Sequence, residues 1–86
     1  MPEVSRFYGI RIFFCFEDHP PPHFHVEYAE YDAQFDIRTL ALLQGFLPAR
    51  ARSMVLDWAS QHRDELMMAW EQAVAGRTPA KIAPLE

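Results

Sequence analysis

The stretch Ile10-Arg11-Ile12-Phe13-Phe14-Cys15-Phe16-Glu17 runs into Asp18-His19-Pro20-Pro21-Pro22 and then His23-Phe24-His25-Val26-Glu27-Tyr28, and it decides how this chain folds. Side chains leave a β-strand on alternate faces, so residues two apart share a face. In the first segment Ile10, Ile12, Phe14 and Phe16 form one row. Arg11, Phe13, Cys15 and Glu17 form the other. The first row is wholly apolar and is assigned to the core. The last segment repeats the pattern, with Phe24, Val26 and Tyr28 on one side and His23, His25 and Glu27 on the other. Pro20, Pro21 and Pro22 stand between them. Prolines have no N–H to give to a ladder and favour extended polyproline geometry, so a stiff loop separates two strands.

Outward from this stretch the same period holds. Val4 to Tyr8 is a short strand, broken at Gly9. Ala29 to Asp32 reads as a hairpin turn. Ala33 to Ile37 continues as a strand, with Phe35 and Ile37 inward and Gln34 and Asp36 outward. Leu40 to Gln44 is a candidate fifth strand, closed by Gly45. The period then lengthens to about 3.6, the helical value. Pro48 suits a first helical turn, and Ala51, Met54, Val55, Trp58, Ala59, Leu66, Met67, Trp70, Ala73 and Val74 mark one stripe. Gly76 and Pro79 end it. Residues 48–75 form one long kinked helix or two consecutive helices, with Ser60 placed to cap a second helix beginning near Arg63.

This order of elements predicts an α+β fold: a small antiparallel sheet of three to five strands packed against the C-terminal helical half. Residues 1–76 form the domain, and residues 77–86, which have no period, form an extended tail. Trp58 and Trp70 lie on the helical stripe and are expected in the core.

A length of 86 residues suits one domain. With 50% hydrophobic and 23% charged residues, the chain as a whole is not of the disordered class. The formal charge of −4, with Lys and Arg spread thinly, argues against tight binding of DNA or RNA. Cys15 is the only cysteine, which rules out an internal disulfide and a thiolate cluster and fits a reducing compartment. Its position in an apolar run suggests a small buried hydrophobe. No apolar run approaches the roughly 20 residues of a membrane span. Met1 to Arg6 lacks the pattern of a secretory signal, so the cytoplasm is the expected location.

The residues that carry chemistry sit around the prolines. His23 and His25 leave one face of a strand and can reach a single metal ion. His19 lies across the loop and is placed to fold back as a third ligand. Glu27 extends the row, and Asp36 can join it from the next strand. Imidazole with carboxylate suits a divalent transition metal such as zinc, in a metal-binding protein or a metal-dependent hydrolase built on His19, His23 and His25. A plainer role is also open, in which His19 and His23 hydrogen-bond carbonyls of the proline loop and fix its path. A third reading makes His25 a general acid or base and Arg11 a phosphate clamp, as in a metal-free ribonuclease. The net charge is unfavourable for that. Tyr28 and Tyr31, beside the turn, are natural anchors for a protein partner.

The run Asp18-His19-Pro20-Pro21-Pro22-His23-Phe24-His25 resembles the hallmark of a bacterial family of small proteins, domain-of-unknown-function family 4160, with its Pro-Pro-His-x-His core. The opening Met1-Pro2-Glu3-Val4-Ser5-Arg6-Phe7 is similar to that family's, as are Leu47-Pro48, Trp58, His62, Glu65-Leu66, Trp70 and the tail Lys81-Ile82-Ala83-Pro84-Leu85. Pro20 is a departure, standing where other members commonly have polar residues. The resemblance implies no activity and no catalytic residue. It does imply a setting, since such proteins are often encoded beside another small domain, in the manner of a toxin–antitoxin pair. The leading expectation is therefore an interaction module whose partner is the small protein of a neighbouring gene.

Overall fold

In the computed structural model, which describes residues 2–86, the period-two segments become strands and the period-3.6 segment becomes two helices. The reading of the N-terminus that includes Met1 lies partly outside the described residues. The strands are β1 (Glu3–Phe7), β2 (Ile10–Phe13), β3 (His23–Tyr28), β4 (Tyr31–Asp36) and β5 (Leu42–Gly45). They pair as an antiparallel meander in chain order. The helices α1 (Ala49–Ser60) and α2 (Arg63–Val74) follow, giving the α+β arrangement. Among the described residues no helix is long and apolar enough to cross a membrane.

The apolar rows face the helices as their alternation predicts. Ile10, Ile12, Phe24, Val26, Phe35 and Ile37 are buried with Val55, Trp58, Leu66 and Trp70 in one core. Trp58 is its centre, with its ring 5.4 Å from Phe7 and 6.2 Å from Phe24. The tail beyond α2 is extended and packed. Ile82 is buried and donates its N–H to the Val4 carbonyl at 2.8 Å, and the Trp58 indole N–H donates to the Ala83 carbonyl at 2.8 Å. This contact closes the β1 edge of the sheet.

Strand β1 spans Glu3–Phe7 rather than Val4 to Tyr8, and β5 spans Leu42–Gly45 rather than Leu40 to Gln44; three further differences have local reasons. Strand β2 stops at Phe13 rather than Glu17. The chain reverses at Glu17, which has a φ of 59°, so Phe16 turns to solvent and is 46% exposed instead of joining the core. The β3–β4 turn is only Ala29-Glu30, because Tyr28 and Tyr31 already pair, and β4 therefore begins at Tyr31. The helix break falls at Gln61-His62, and His62, not Ser60, occupies the N-cap position of α2, without a side-chain capping bond. The Ser60 hydroxyl is used within its own helix, donating to the Asp57 carbonyl at 2.8 Å.

Gly45 is demanded by the backbone. Its φ is +85°, in the region that L side chains avoid, and a Cβ there would sit 2.2 Å from the Asp32 carbonyl oxygen. Both the dihedral and the clash are with main chain, so neither relaxes by a rotamer change. Gly45→Ala is expected to cost about 2–4 kcal/mol, measured by urea denaturation. A loss below about 0.5 kcal/mol, the range of an ordinary surface substitution, would contradict this geometry.

Candidate functional site

With the helices on one face, the other sheet face carries the polar rows. Antiparallel register sets Phe13, His25, Gln34 and Gln44 side by side, and Arg11, Glu27 and Asp32 in the adjacent row. Arg11 lies over the Phe13 ring, 4.3 Å from its centroid. It donates to Glu27 at 2.9 Å and to Glu3 at 3.1 Å. Phe13 also stacks on His25 at 5.1 Å, and so is only 5% exposed although it points away from the main core. This packing holds one face of the His25 ring.

The loop of residues 14–22 supplies the rest. Its far end is tied to the sheet, since Ile37 donates its N–H to the Pro22 carbonyl at 3.0 Å. The reversal at Glu17 carries Asp18 back over the start of β3. There one carboxylate oxygen, Asp18 Oδ2, lies 2.7 Å from His25 Nε2 and 3.1 Å from His23 Nε2. Cys15 completes the group: its sulfur, a carboxylate oxygen of Asp18 and a ring nitrogen of His25 all lie within 4.8 Å of one another. Cys15 and His25 open onto a shallow depression of about 270 Å³, lined also by Phe13, Glu27 and Gln34.

His23 is the informative member. It is 6% exposed, packed against Trp70 of α2 at 5.2 Å between ring centroids. Its Nδ1–H donates to the Pro21 carbonyl at 2.7 Å, because a carbonyl can only accept. In a neutral imidazole that bond leaves Nε2 with a lone pair. The lone pair faces a carboxylate oxygen, which is also an acceptor. Two acceptors in contact at this distance call for a proton or a metal ion between them, at a carboxylate that is itself only part-buried.

The electrostatics follow from the same contacts. Burial alone would push the Asp18 carboxyl up. The hydrogen bond from His25, the charges of His23 and His25 and the His19 backbone N–H outweigh it and hold the carboxyl below its usual 3.8. Burial pushes the Cys15 thiol up, and the Asp18 charge adds to this, so the cysteine is poorly suited to act as a free nucleophile. A carboxyl held low in the folded state stabilises the fold above its unfolded value, and this contribution fades as pH falls through the folded value. Melting temperature from about pH 6 to about pH 2 is therefore expected to fall more steeply in the unmodified protein than in Asp18→Asn. Parallel curves would mean that Asp18 gains nothing from its histidines.

Of the residues singled out from the sequence, the structure brings His23 and His25 together. It does not bring His19, whose side chain is exposed and which contributes only its backbone N–H to Asp18 Oδ1 at 3.2 Å. Glu27 is engaged by Arg11. Asp36 caps the chain beyond β4, accepting the N–H groups of Arg38 and Thr39 at 2.7 and 2.9 Å. Tyr28 and Tyr31 flank the turn and pack partly against the core. Asp18 and Cys15 were not among the ligands expected. The signal for Cys15 was its place in the outward row with Arg11 and Phe13. The signal for Asp18 was only its adjacency to the prolines.

Residues 9–71 match the model of a family described as a domain of unknown function, DUF4160, and the match includes every member of this cluster. No curated protein and no solved structure matches the chain.

Proposed function

The chain belongs to the DUF4160 family, whose description assigns no activity, and from the geometry of its histidine pair we propose that it is a transition-metal-binding protein with Asp18, His23 and His25 as ligands. The observation that carries this reading is the buried His23 Nε2 aimed at Asp18 Oδ2 from 3.1 Å. Ligating histidines characteristically donate their other N–H to a backbone carbonyl, which fixes the tautomer and ring orientation. The His23 bond to Pro21 does this. Ligand atoms around one small ion lie roughly 3 Å apart, given metal–ligand bonds of about 2.0–2.2 Å. The spacings of 2.7 and 3.1 Å around Asp18 Oδ2 meet that on the carboxylate's side, and the two imidazole nitrogens, which flank that oxygen, must draw together to share one ion. Two nitrogens and an oxygen suit zinc, nickel or iron(II) rather than magnesium or calcium. A reducing, cytoplasmic setting belongs to this reading, since the neighbouring Cys15 stays reduced there.

Equilibrium dialysis of the metal-free chain against zinc, at near-neutral pH, tests it. One ion per chain is expected, and the double substitution His23→Ala with His25→Ala should abolish uptake. Uptake that survives the double change would place the ion elsewhere and end the proposal.

A second reading, partner binding, is favoured by β5. This edge strand and its flanks, residues 39–47, contain no charged residue, and Leu43 and Phe46 are 45% and 58% exposed. Soluble proteins usually protect such an edge with charge or proline. The occupant proposed is an extended segment of the small protein encoded by a neighbouring gene. Leu43→Lys should then prevent the two from eluting together, and unchanged co-elution would rule out this edge. The nuclease reading gains no such support, because Glu3 and Glu27 already neutralise Arg11.

A further inference from the structure

The three ligands leave the fate of a fourth position open, and that position decides what a bound metal does. We propose that Cys15 fills it as a thiolate, making a closed four-ligand centre that locks the proline loop onto β3. This inference rests on the metal reading above and deepens it. An open fourth position would hold water and make a hydrolytic centre, whereas four protein ligands make a structural one.

Cys15 reaches the site from the correct side. It follows β2 on the outward row, two residues after Phe13, and Phe13 pairs directly with His25 across the sheet. Its sulfur lies within 4.8 Å of ligand atoms of both Asp18 and His25. In a tetrahedral zinc site, with Zn–S of about 2.3 Å and Zn–N of about 2.0–2.1 Å, sulfur and nitrogen sit roughly 3.6 Å apart. A shift of about an ångström at the loop brings the sulfur into range of the His25 nitrogen. His23, more than nine-tenths buried, sets its Nε2 3.1 Å from Asp18 Oδ2 and joins the other three ligands by closing toward the sulfur. The four residues come from two segments only. Cys15 and Asp18 belong to the loop, His23 and His25 to the strand it must close upon.

The chemistry balances without a redox partner. The S–H bond of Cys15 breaks, its proton leaves to solvent, and the sulfur lone pair forms the bond to the divalent ion. A thiolate also biases the site toward zinc and cobalt and away from harder ions.

Cobalt(II) is the probe, titrated into the unmodified chain in the presence of a non-thiol reductant. The expected spectrum combines the strong visible bands of four-coordinate cobalt with a near-ultraviolet thiolate-to-cobalt charge-transfer band, saturating together at one ion per chain. Cys15→Ser should lose the ultraviolet band, keep cobalt, and bind roughly 10-fold or more weakly. In the unmodified chain, saturating zinc should also protect Cys15 from iodoacetamide, a readout that needs no variant to fold. Visible bands without the thiolate band, or alkylation at an unchanged rate with zinc bound, would overturn the role of Cys15 and leave a three-ligand site. Failure of the unmodified chain to take up either metal would overturn the underlying reading as well.

Discussion

Trp58→Ala is expected to lower stability by about 3–5 kcal/mol, the range for removing a large aromatic from a packed core. Trp58 has no exposed surface and stands between the sheet and α1, touching Phe7 and Phe24. It also binds the tail through the Ala83 carbonyl. Its removal therefore opens a cavity, frees the tail from α1 and loosens the closure of the β1 edge. Domains of this size are stable by roughly 5–15 kcal/mol, so the variant should sit near the folding threshold. Trp58→Phe keeps most of the ring contacts but loses the indole N–H, and a smaller cost of about 1–2 kcal/mol is expected. Urea denaturation followed by Trp70 fluorescence measures both. Equal costs for the two variants would show that the hydrogen bond, and not the packing, is what Trp58 supplies.

Asp18→Asn separates ligation from structure. The amide nitrogen is nearly the same size as the carboxylate oxygen it replaces, and it carries two hydrogens. Placed where Oδ2 stands, it can donate to the Nε2 atoms of both His23 and His25 when the rings are neutral. Stability at neutral pH is thus expected to change by less than about 1 kcal/mol. Metal affinity should fall far more, by at least the roughly 100-fold that even the loss of an outer-shell partner can cost, because a neutral amide is a poor ligand. Calorimetric titration with zinc, beside thermal melts of the metal-free forms, gives both numbers. A variant that melts as usual and binds zinc as usual would remove Asp18 from the site. One that loses several kcal/mol of stability without any change in metal uptake would make Asp18 a loop anchor.

How much of this could be read from the sequence depended on whether a feature was local. A sheet of three to five strands and the helical half follow from hydrophobic period, and the shared face of His23 and His25 follows from their spacing of two; the fifth strand, exposed along its length, carries no such period. Alternation says nothing about where pairing stops, so Phe16 continues the apolar row of Ile10, Ile12 and Phe14 yet lies beyond the end of β2. The break at Gln61-His62 was visible in the polar cluster there. Its cap was not, because the Ser60 hydroxyl has a nearer acceptor one turn back. The burial of His23 depends on Trp70, far along the chain in α2. The place of Asp18 depends on a left-handed residue at Glu17, a position with no glycine to announce it. Spacing alone offers His19 as the third ligand. The loop turns one residue earlier than that required, and Asp18 takes the inward position.

The most direct test of the metal centre is a zinc titration of the isotope-labelled chain, with the ring resonances of His19, His23 and His25 followed by nuclear magnetic resonance. Saturable shifts at His23 and His25 with micromolar or tighter affinity, and little change at His19, are the expected result. No response of His23 and His25 below millimolar zinc would contradict it and leave the cluster as the fastening of the proline loop.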